Sequence, residues 1–360
     1  MTQTTDTSRA FEAIRLREID VPNRIWMSPM CQYSAGPDGV PTDWHLVHYA
    51  SRAVGGAGLV MVESTAVSAG QRTTSADLGL YTQEQVAGHR RLTDLIREHG
   101  AVPAVQLQCA GRKSSHMRPW EQRGQQSPVG VADGGWIPVA PSAIPFSDLT
   151  TPREATEADL DELEEAFARA ARLADQAGYD VAEVHAAHGY LLHQFLSPLA
   201  NTRTDRYGGS LENRMRFPLR AIAAARAAWP ESKPLLVRVT ATDWVDGGIT
   251  VDEAEVFSKE LADLGVDMLD VTSGALVHDG PRMTEPLYNV PFARPLRAAS
   301  GLPVAAVGLI TEPEQTESVI AHSADAVLIG RALLRDPYWP LRARDTAPTV
   351  SWPAQYHRAL

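Results

Sequence analysis

Cysteine is scarce in this sequence, with only Cys31 and Cys109 among its 360 residues. Two thiols are too few for the disulfide frameworks that hold small secreted domains together. They are also too few for an iron–sulfur cluster bound by four thiolates. The scarcity of cysteine therefore excludes a disulfide scaffold and a protein built around such a cluster.

Positive charge and long apolar runs are lacking as well. Lys and Arg number 33 against 44 Asp and Glu, and the formal net charge of −11 argues against a nucleic-acid partner, which requires a basic surface. No segment approaches the roughly 20 apolar residues of a transmembrane helix. Because Met1–Ala10 is polar and lacks the apolar core of a signal peptide, we expect a cytoplasmic protein without a membrane partner.

What the sequence does contain is a series of short apolar runs. With 44% hydrophobic and 21% charged residues, the composition is that of a globular enzyme, and the length suits one large barrel or two small domains. Most runs are rich in Val, Ile and Leu without alternation, which is typical of parallel strands buried on both faces. The runs are Arg24–Met27, Leu59–Glu63, Val102–Gln106, Val181–Val184, Leu235–Val239, Met268–Thr272, Val304–Val307 and Ala326–Ile329.

Helix-start patterns separate several of these runs. A capping box, in which Thr is followed three residues later by Glu, Gln or the shorter Asp, occurs at Thr82…Gln85, Thr156…Asp159, Thr250…Glu253 and Thr311…Glu314. Eight strand–helix units predict an α/β fold, a single (β/α)8 TIM barrel over residues 1–360. A doubly wound sheet is the alternative, but Gly55–Gly58 precedes a strand and has the wrong spacing for a dinucleotide-binding loop.

One segment after the third strand breaks this rhythm. Residues 111–152 hold several Gly and Pro, no helical period, and the aromatic residues Trp120, Trp136 and Phe146. Loops of this length in compact domains are usually functional. We expect the segment to cap the mouth of the barrel, although a surface excursion without function is the alternative.

The fourth strand ends in an unusual group of polar side chains, His185, His188 and Tyr190. Two imidazoles can donate N–H groups to one acceptor, and a phenol carries a proton with an ordinary pKa of about 10. Three such groups where TIM barrels perform their chemistry favour a site that polarises a carbonyl and delivers a proton. The alternative is local hydrogen bonding at a strand end.

The last two strands are followed by glycines and an arginine instead of histidines and a tyrosine. Gly308 and the pair Gly330-Arg331 follow strands seven and eight, where barrels bind phosphate through glycine amides and a nearby cation. Gln106 and Arg238, on strands three and five, can bind a planar ring with hydrogen-bonding edges. For Arg238 the alternative is a structural ion pair inside the barrel.

Several motifs stand in order along nearly the whole chain. They are Ser28-Pro-Met-Cys31-Gln-Tyr33, Gly111-Arg-Lys113, His185-Ala-Ala-His188-Gly-Tyr190, Phe195-Leu-Ser-Pro-Leu-Ala-Asn201, Arg203-Thr-Asp-Arg-Tyr-Gly-Gly209, Glu212-Asn213-Arg214, Ser273-Gly274 and Gly330-Arg331. This ordered set resembles the motifs of the Old Yellow Enzyme family of FMN-dependent ene-reductases, in particular its cysteine-bearing, thermophilic-like branch.

The resemblance implies a tightly bound, non-covalent FMN and a ping-pong cycle in which NADPH or NADH is the hydride donor and an activated alkene the acceptor. It implies that His185 and His188 hold the substrate's oxygen, that Tyr190 protonates the α-carbon, and that Tyr33 adds a hydrogen bond. Cys31 would lie against the flavin and tune its potential. The positions that match FMN-binding residues are Ser28, Pro29, Met30, Cys31, Ser64, Gln106, Arg238, Gly308, Gly330 and Arg331.

The sequence departs from the family pattern at two places. Cys109 stands where the third-strand motif commonly has histidine, which puts any role of that position in doubt. The C-terminal tail, residues 345–360, keeps Arg358, which the resemblance assigns to substrate binding in a neighbouring subunit of a homodimer or homotetramer. The tail ends in Leu360 where a bulky aromatic is expected, and a disordered basic tail is the alternative.

Three other functions compete with this interpretation. A phosphate-binding lyase or isomerase requires a strand-end lysine or glutamate, and Lys113 lies beyond its strand while Glu63 is the one such carboxylate. A zinc hydrolase could use His185 and His188, but the sequence offers no obvious third ligand. A catalytically inert binding module is the third alternative.

Overall fold

Eight parallel strands form a closed barrel in the computed structural model, which describes residues 8–121, 127–343 and 352–359. Each strand pairs with the next along the chain, and the eighth pairs with the first through Leu328 and Trp26. The strands are β1 Ile25–Met27, β2 Leu59–Ala66, β3 Val102–Gln108, β4 Val181–Ala186, β5 Leu235–Thr240, β6 Met268–Thr272, β7 Val304–Ala306 and β8 Ala326–Ile329. The predicted (β/α)8 barrel is confirmed, with every strand within three residues of its predicted ends.

Helices surround the barrel and follow the strands. They are α1 Asp43–Val54, α2 Gln83–Glu98, α3 Glu157–Gln176, α4 Leu191–Leu196, α5 Leu211–Ala228, α6 Val251–Asp263, α7 Val290–Ser300, α8 Pro313–His322, α9 Arg331–Arg335 and α10 Trp339–Ala343. In the described part of the chain, none of these helices is both long and apolar enough to cross a membrane.

Three of the four predicted capping boxes lie where the sequence puts them. They begin α2, α3 and α6, at Thr82, Thr156 and Thr250. The fourth prediction, Thr311…Glu314, is wrong by one residue. Helix α8 begins at Pro313, whose fixed φ suits the first helical position, so Glu312 is the cap and the Gln315 side chain accepts from its backbone N–H at 3.2 Å.

The side chains inside the barrel are apolar at its amino-terminal end and polar towards the carboxyl ends of the strands. Inward-facing residues from all eight strands, Leu59, Met268 and Leu328 among them, form an apolar plug at the amino-terminal end. An antiparallel hairpin, Ile14–Leu16 with Ile19–Val21, adds Leu16 and Val21 to this plug. Side chains alternate along a strand with a period of two, so the next inward positions towards the carboxyl ends are Gln106, Glu183, Arg238 and Asp270. The hairpin was not predicted.

The segment after β3 covers the carboxyl end of the barrel. Its short strand Val139–Ala140 pairs with Arg153–Glu154, which directly follows the segment. The Trp120 ring centroid lies 5.9 Å from that of Tyr33, in the loop after β1. Within the segment, the Phe146 ring lies 4.2 Å from the Lys113 ammonium. Residues 122–126 of this segment, residues 344–351 and 360 of the tail, and the polar N-terminal residues 1–7 lie outside the described residues.

Phe167 tests how strongly the helical layer packs on the barrel. Its side chain on α3 is completely buried, so Phe167→Ala should lower the free energy of unfolding by about 3–5 kcal/mol through lost burial and the cavity left behind. Equilibrium urea unfolding followed by circular dichroism measures this loss. Val256→Ala on α6, at a side chain that is 45% exposed, is the control and should cost less than about 0.5 kcal/mol. An equal loss of unfolding free energy in the two variants would contradict the close packing of α3 on the barrel.

Candidate active site

The carboxyl ends of the strands enclose a cavity of about 230 Å³. It collects most of the residues that the sequence singled out, although they come from six different strands and the loops after them. The predicted residues that line it are Ser28, Pro29, Met30, Cys31, Ser64, Gln106, His185, His188, Tyr190, Arg238, Gly330 and Arg331, and Val307 completes the wall.

His185, His188 and Tyr190 form one compact group in this cavity. The His185 ring centroid lies 5.2 Å from that of His188 and 5.0 Å from that of Tyr190, with the rings edge to face. His185 Nε2 is 3.4 Å from His188 Nδ1, and His188 Nε2 is 2.9 Å from Thr272 Oγ1. Because His185 Nδ1 accepts the backbone N–H of Ala187 at 3.2 Å, the proton of a neutral His185 ring lies on Nε2.

Burial sets the protonation states of these three side chains. Loss of hydration, and then the positive charge of Arg238, lower the pKa of His185 and of His188 well below the ordinary value. Burial likewise raises the pKa of Tyr190 well above its ordinary value. At neutral pH the group therefore consists of two neutral imidazoles and an intact phenol. Such a set can donate hydrogen bonds to an oxygen atom and supply a proton beside it.

A buried histidine–carboxylate contact beneath the turn supports this group. His193 Nε2 lies 3.0 Å from Asp243 Oδ1, with both side chains fully buried, and His193 Nδ1 accepts the backbone N–H of Gly189 at 2.8 Å. The pair thus fixes the peptide between His188 and Tyr190. The sequence analysis missed both residues, because nothing in their spacing shows that a helix after β4 meets the loop after β5.

The two environments considered for Arg238, a ring-binding cavity and a structural ion pair, occur together in the structure. Its Nε lies 3.0 Å from Asp270 Oδ2, which is the structural ion pair, and its side chain also lines the cavity. Gln106 Nε2 donates to Glu183 Oε1 at 2.7 Å. Burial, and then the negative charge of Asp270, raise the pKa of Glu183, which favours the protonated form of this carboxyl group. The sequence analysis did not assign Glu183 or Asp270.

The segment from Cys31 to Tyr33 is held from below by Glu63. The carboxylate of Glu63 accepts the backbone N–H of Gln32, and its other oxygen lies 3.0 Å from His45 Nε2. Tyr33 has a left-handed backbone with φ 49°. Tyr33 does not line the cavity itself, but its side chain interacts with Cys31, whose charge is the largest cause that raises the pKa of Tyr33.

The end of the cavity formed by β7 and β8 carries the residues predicted to bind phosphate. Gly330 is the cap of α9, and Arg331 begins this helix with an exposed side chain. Gly308 adjoins the cavity through Val307, and its φ of 138° is a conformation that L side chains rarely adopt. A Cβ at this position would also lie 3.1 Å from the backbone nitrogen of Asn289.

The cavity residues fit FMN. The hydroxyl oxygens of Ser28 and Ser64 are buried and have no hydrogen-bond partner among the described residues, so they are free to bind a polar ring edge. Gln106 and Arg238 add donors on the inner wall, and Arg331 adds an exposed cation at the glycine-lined end. A polar ring system carrying a phosphate satisfies this arrangement.

Arg358 is a predicted site residue that lies far from the cavity of its own chain. It lies exposed in the turn Ala354–Ala359. The adjacent residues Gln355 and Tyr356 line a different cavity, together with Pro22 and Gly56, which precede β1 and β2. The turn thus lies at the opposite end of the barrel from the site.

The fold and the cavity together define a flavin-binding (β/α)8 oxidoreductase. The family model of the NADH:flavin oxidoreductase / NADH oxidase family matches residues 9–349, and the chain belongs to this family, that of the Old Yellow Enzymes. The chain is thus a flavin oxidoreductase of the NADPH dehydrogenase type, with FMN as its cofactor and NAD(P)H as its hydride donor.

Named relatives agree with this assignment. An NADPH dehydrogenase from Geobacillus sp. (strain WCH70) is 45% identical over 97% of both chains. Morphinone reductase superposes with a TM-score of 0.78 at 27% identity, over 98% of this chain and 94% of its own, and one of its structures contains tetrahydroNAD. An Old Yellow Enzyme homologue from Zymomonas mobilis gives a TM-score of 0.78 at 26% identity, over 96% of this chain and 95% of its own.

The Cys31 thiol should react slowly with alkylating agents at neutral pH. Burial and the negative charges of Asp77 and Glu63 raise its pKa well above the ordinary value, so the reactive thiolate is rare at neutral pH. Mass spectrometry of iodoacetamide-treated Cys109→Ala protein, between pH 6 and 10, isolates this thiol. Fast alkylation at pH 7 would show that Cys31 is an activated nucleophile instead.

Proposed function

We propose that this enzyme is an ene-reductase that reduces the activated double bond of α,β-unsaturated carbonyl or nitro compounds, with NADPH or NADH as the electron source. The observation that carries the proposal is the grouping of two neutral histidines and an intact tyrosine in the cavity that fits FMN. When FMN is bound, it supplies the hydride that adds to the β-carbon of the alkene. The protein must then polarise the alkene and protonate its α-carbon.

His185 and His188 perform the first of these tasks. Their N–H groups bind the carbonyl or nitro oxygen of the substrate and withdraw electrons from the conjugated double bond. Negative charge develops on that oxygen as the β-carbon accepts hydride, and donors fixed in a buried cavity stabilise it more strongly than water does. The neutral state of both rings matters because a neutral donor polarises the oxygen without transferring its own proton.

Tyr190 performs the second task. Its phenol group gives its proton to the α-carbon, and the phenolate then regains a proton from water. One hydride and one proton thus add across the double bond. Because the hydride donor and the alkene would use the same cavity in turn, the kinetics should be ping-pong. Cys31 and Tyr33 act at the edge of this site, the thiol on the flavin potential and the phenol on the substrate.

The competing functions lack support at the site. Among the described residues, no group of three or more His, Cys, Asp and Glu side chains is arranged to hold a metal ion, so a zinc hydrolase has no ligand set there. Glu63, the strand-end carboxylate of the lyase alternative, is buried under Gln32 and bound to His45. It does not line the cavity.

The proposed activity is tested on the purified, FMN-loaded protein. Cyclohexenone, maleimide and a nitroalkene should each accelerate NADPH or NADH oxidation under anaerobic conditions, and cyclohexanone, which lacks the double bond, is the control. A flavin that NADPH reduces but that none of the alkenes reoxidises would contradict the proposal.

Tyr190→Phe should separate the two half-reactions. The change removes the proton donor but keeps the ring, so reoxidation of the reduced enzyme by cyclohexenone should slow about 10²–10⁴-fold, the usual contribution of a general acid. Reduction of the flavin by NADPH should stay within threefold of wild type. Stopped-flow absorbance measures both rates, and an equal loss in the two would refute the assignment of Tyr190.

For the tail we propose that Arg358 binds substrate in a neighbouring subunit of a homodimer or homotetramer, since it lies away from the cavity of its own chain. Arg358→Ala should raise the KM for cyclohexenone about tenfold while the mass in solution stays unchanged by analytical ultracentrifugation. The neighbouring exposed residue His357 provides the control His357→Ala. A monomeric wild-type protein, or an unchanged KM, would overturn this proposal.

A further inference from the structure

Lys113 is a buried cation beside the site whose contacts the proposed reaction does not explain. It ends the short 3-10 helix Gly111–Lys113 after β3, and its side chain is 8% exposed. Within the described ranges, no carboxylate lies within ion-pair distance of its ammonium group. Its Nζ donates instead to two backbone oxygens, that of His188 at 2.8 Å and that of Ala275 at 2.5 Å.

Both acceptors belong to residues with a left-handed backbone. His188 has φ 54° and Ala275 has φ 67°, a conformation that disfavours residues with a Cβ. His188 lies just after β4 and Ala275 just after β6, so one ammonium group joins two turns at the carboxyl end of the barrel. His188, in the first of these turns, is one of the two histidines predicted to donate a hydrogen bond to the substrate's oxygen.

The surroundings of Lys113 leave little freedom to its ammonium group. A Cβ on Gly189 would lie 3.0 Å from Nζ and 2.5 Å from the Ala275 oxygen, so the glycine makes room for this contact. The rings of Phe146 and Tyr190 lie 4.2 Å and 5.6 Å from Nζ, and both attract a cation. Burial, and then the charge of Arg112, lower the pKa of Lys113 to about 7.

We propose that Lys113 is a positioning residue for the oxygen-binding histidines: by holding the His188 and Ala275 carbonyls together, it keeps His188 in the backbone conformation that directs its ring into the cavity. The inference rests on the proposed function, because it gives Lys113 a purpose only if His188 binds the substrate oxygen. Lys113 touches neither the substrate nor the cofactor in this proposal and acts through His188 alone.

The test measures phenol binding to the FMN-loaded enzyme, followed by the change in flavin absorbance, because phenolate offers the same oxygen chemistry as the substrate. Lys113→Met removes the donors while keeping the length of the side chain, and should weaken phenol binding at least tenfold. Lys113→Arg, which can still donate to both carbonyls, should stay within threefold of wild type. FMN affinity should change less than twofold in both variants.

Lys233→Met is the matched control. Lys233 Nζ also donates to a backbone oxygen, that of Tyr179 at 2.7 Å, and pairs with Asp175 at 2.8 Å, but it lies just before β5 at the other end of the barrel. Its loss should leave the phenol dissociation constant unchanged. Equal weakening in the Lys113→Met and Lys233→Met proteins would overturn the proposal, since it would reflect stability alone.

Further outcomes separate the two proposals. Phenol affinity of Lys113→Met within twofold of wild type overturns the positioning role and leaves the ene-reductase proposal intact. If the wild-type flavin spectrum does not respond to phenol, the oxygen-binding role of the histidines fails, and the Lys113 proposal fails with it. If Lys113→Met does not fold, the same criteria apply to Lys113→Met combined with Ala275→Gly, because glycine adopts the left-handed conformation without strain.

Discussion

Desolvation at the carboxyl end of the barrel is the constraint on which the site depends. Inward-facing residues fill the amino-terminal half of the barrel, beneath the site, with apolar side chains. Above this plug, the buried histidines lose the hydration that a charged ring needs, and the buried phenol loses the hydration that a phenolate needs. The proposed alkene reduction requires neutral imidazoles and a protonated phenol. Both protonation states therefore follow from the burial of these side chains at the carboxyl ends of the strands.

The same constraint explains why Arg238 has two roles. A guanidinium group stays charged when it is buried, and an unpaired buried charge is strongly unfavourable. Asp270 provides the pair, with one Arg238 nitrogen 3.0 Å from its carboxylate, while the rest of the side chain lines the cavity. The structural ion pair would thus allow a cation to lie beside a flavin ring bound in this cavity. The two interpretations of the residue are not alternatives.

Whether a feature of the fold or the site could be predicted from the sequence depends on how far apart along the chain the interacting residues lie. Buried parallel strands appear in the sequence as short apolar runs, and the carboxyl ends of these strands lie at the same end of the barrel. His185, Gln106 and Arg238 could therefore be placed together from their positions in these runs. The bond between Lys113 and the turns after β4 and β6 joins residues up to 162 positions apart and leaves no local pattern. The one-residue error at α8 has a local cause, because Pro313 takes the first helical position and moves the cap to Glu312.

The left-handed turns after β4 and β6 allow the energetic cost of the proposed Lys113 contact to be weighed. A left-handed conformation costs roughly 1–2 kcal/mol for a residue with a Cβ, and His188 and Ala275 both adopt it. A hydrogen bond from a charged donor contributes about 1.5–3 kcal/mol, so in its protonated form Lys113 makes two bonds that are large enough to offset that strain. Burying the ammonium group without a carboxylate consumes much of the remaining gain. On the proposed role, Lys113 therefore adds little net stability to the fold, and its main effect is the geometry that it imposes on the turn of His188.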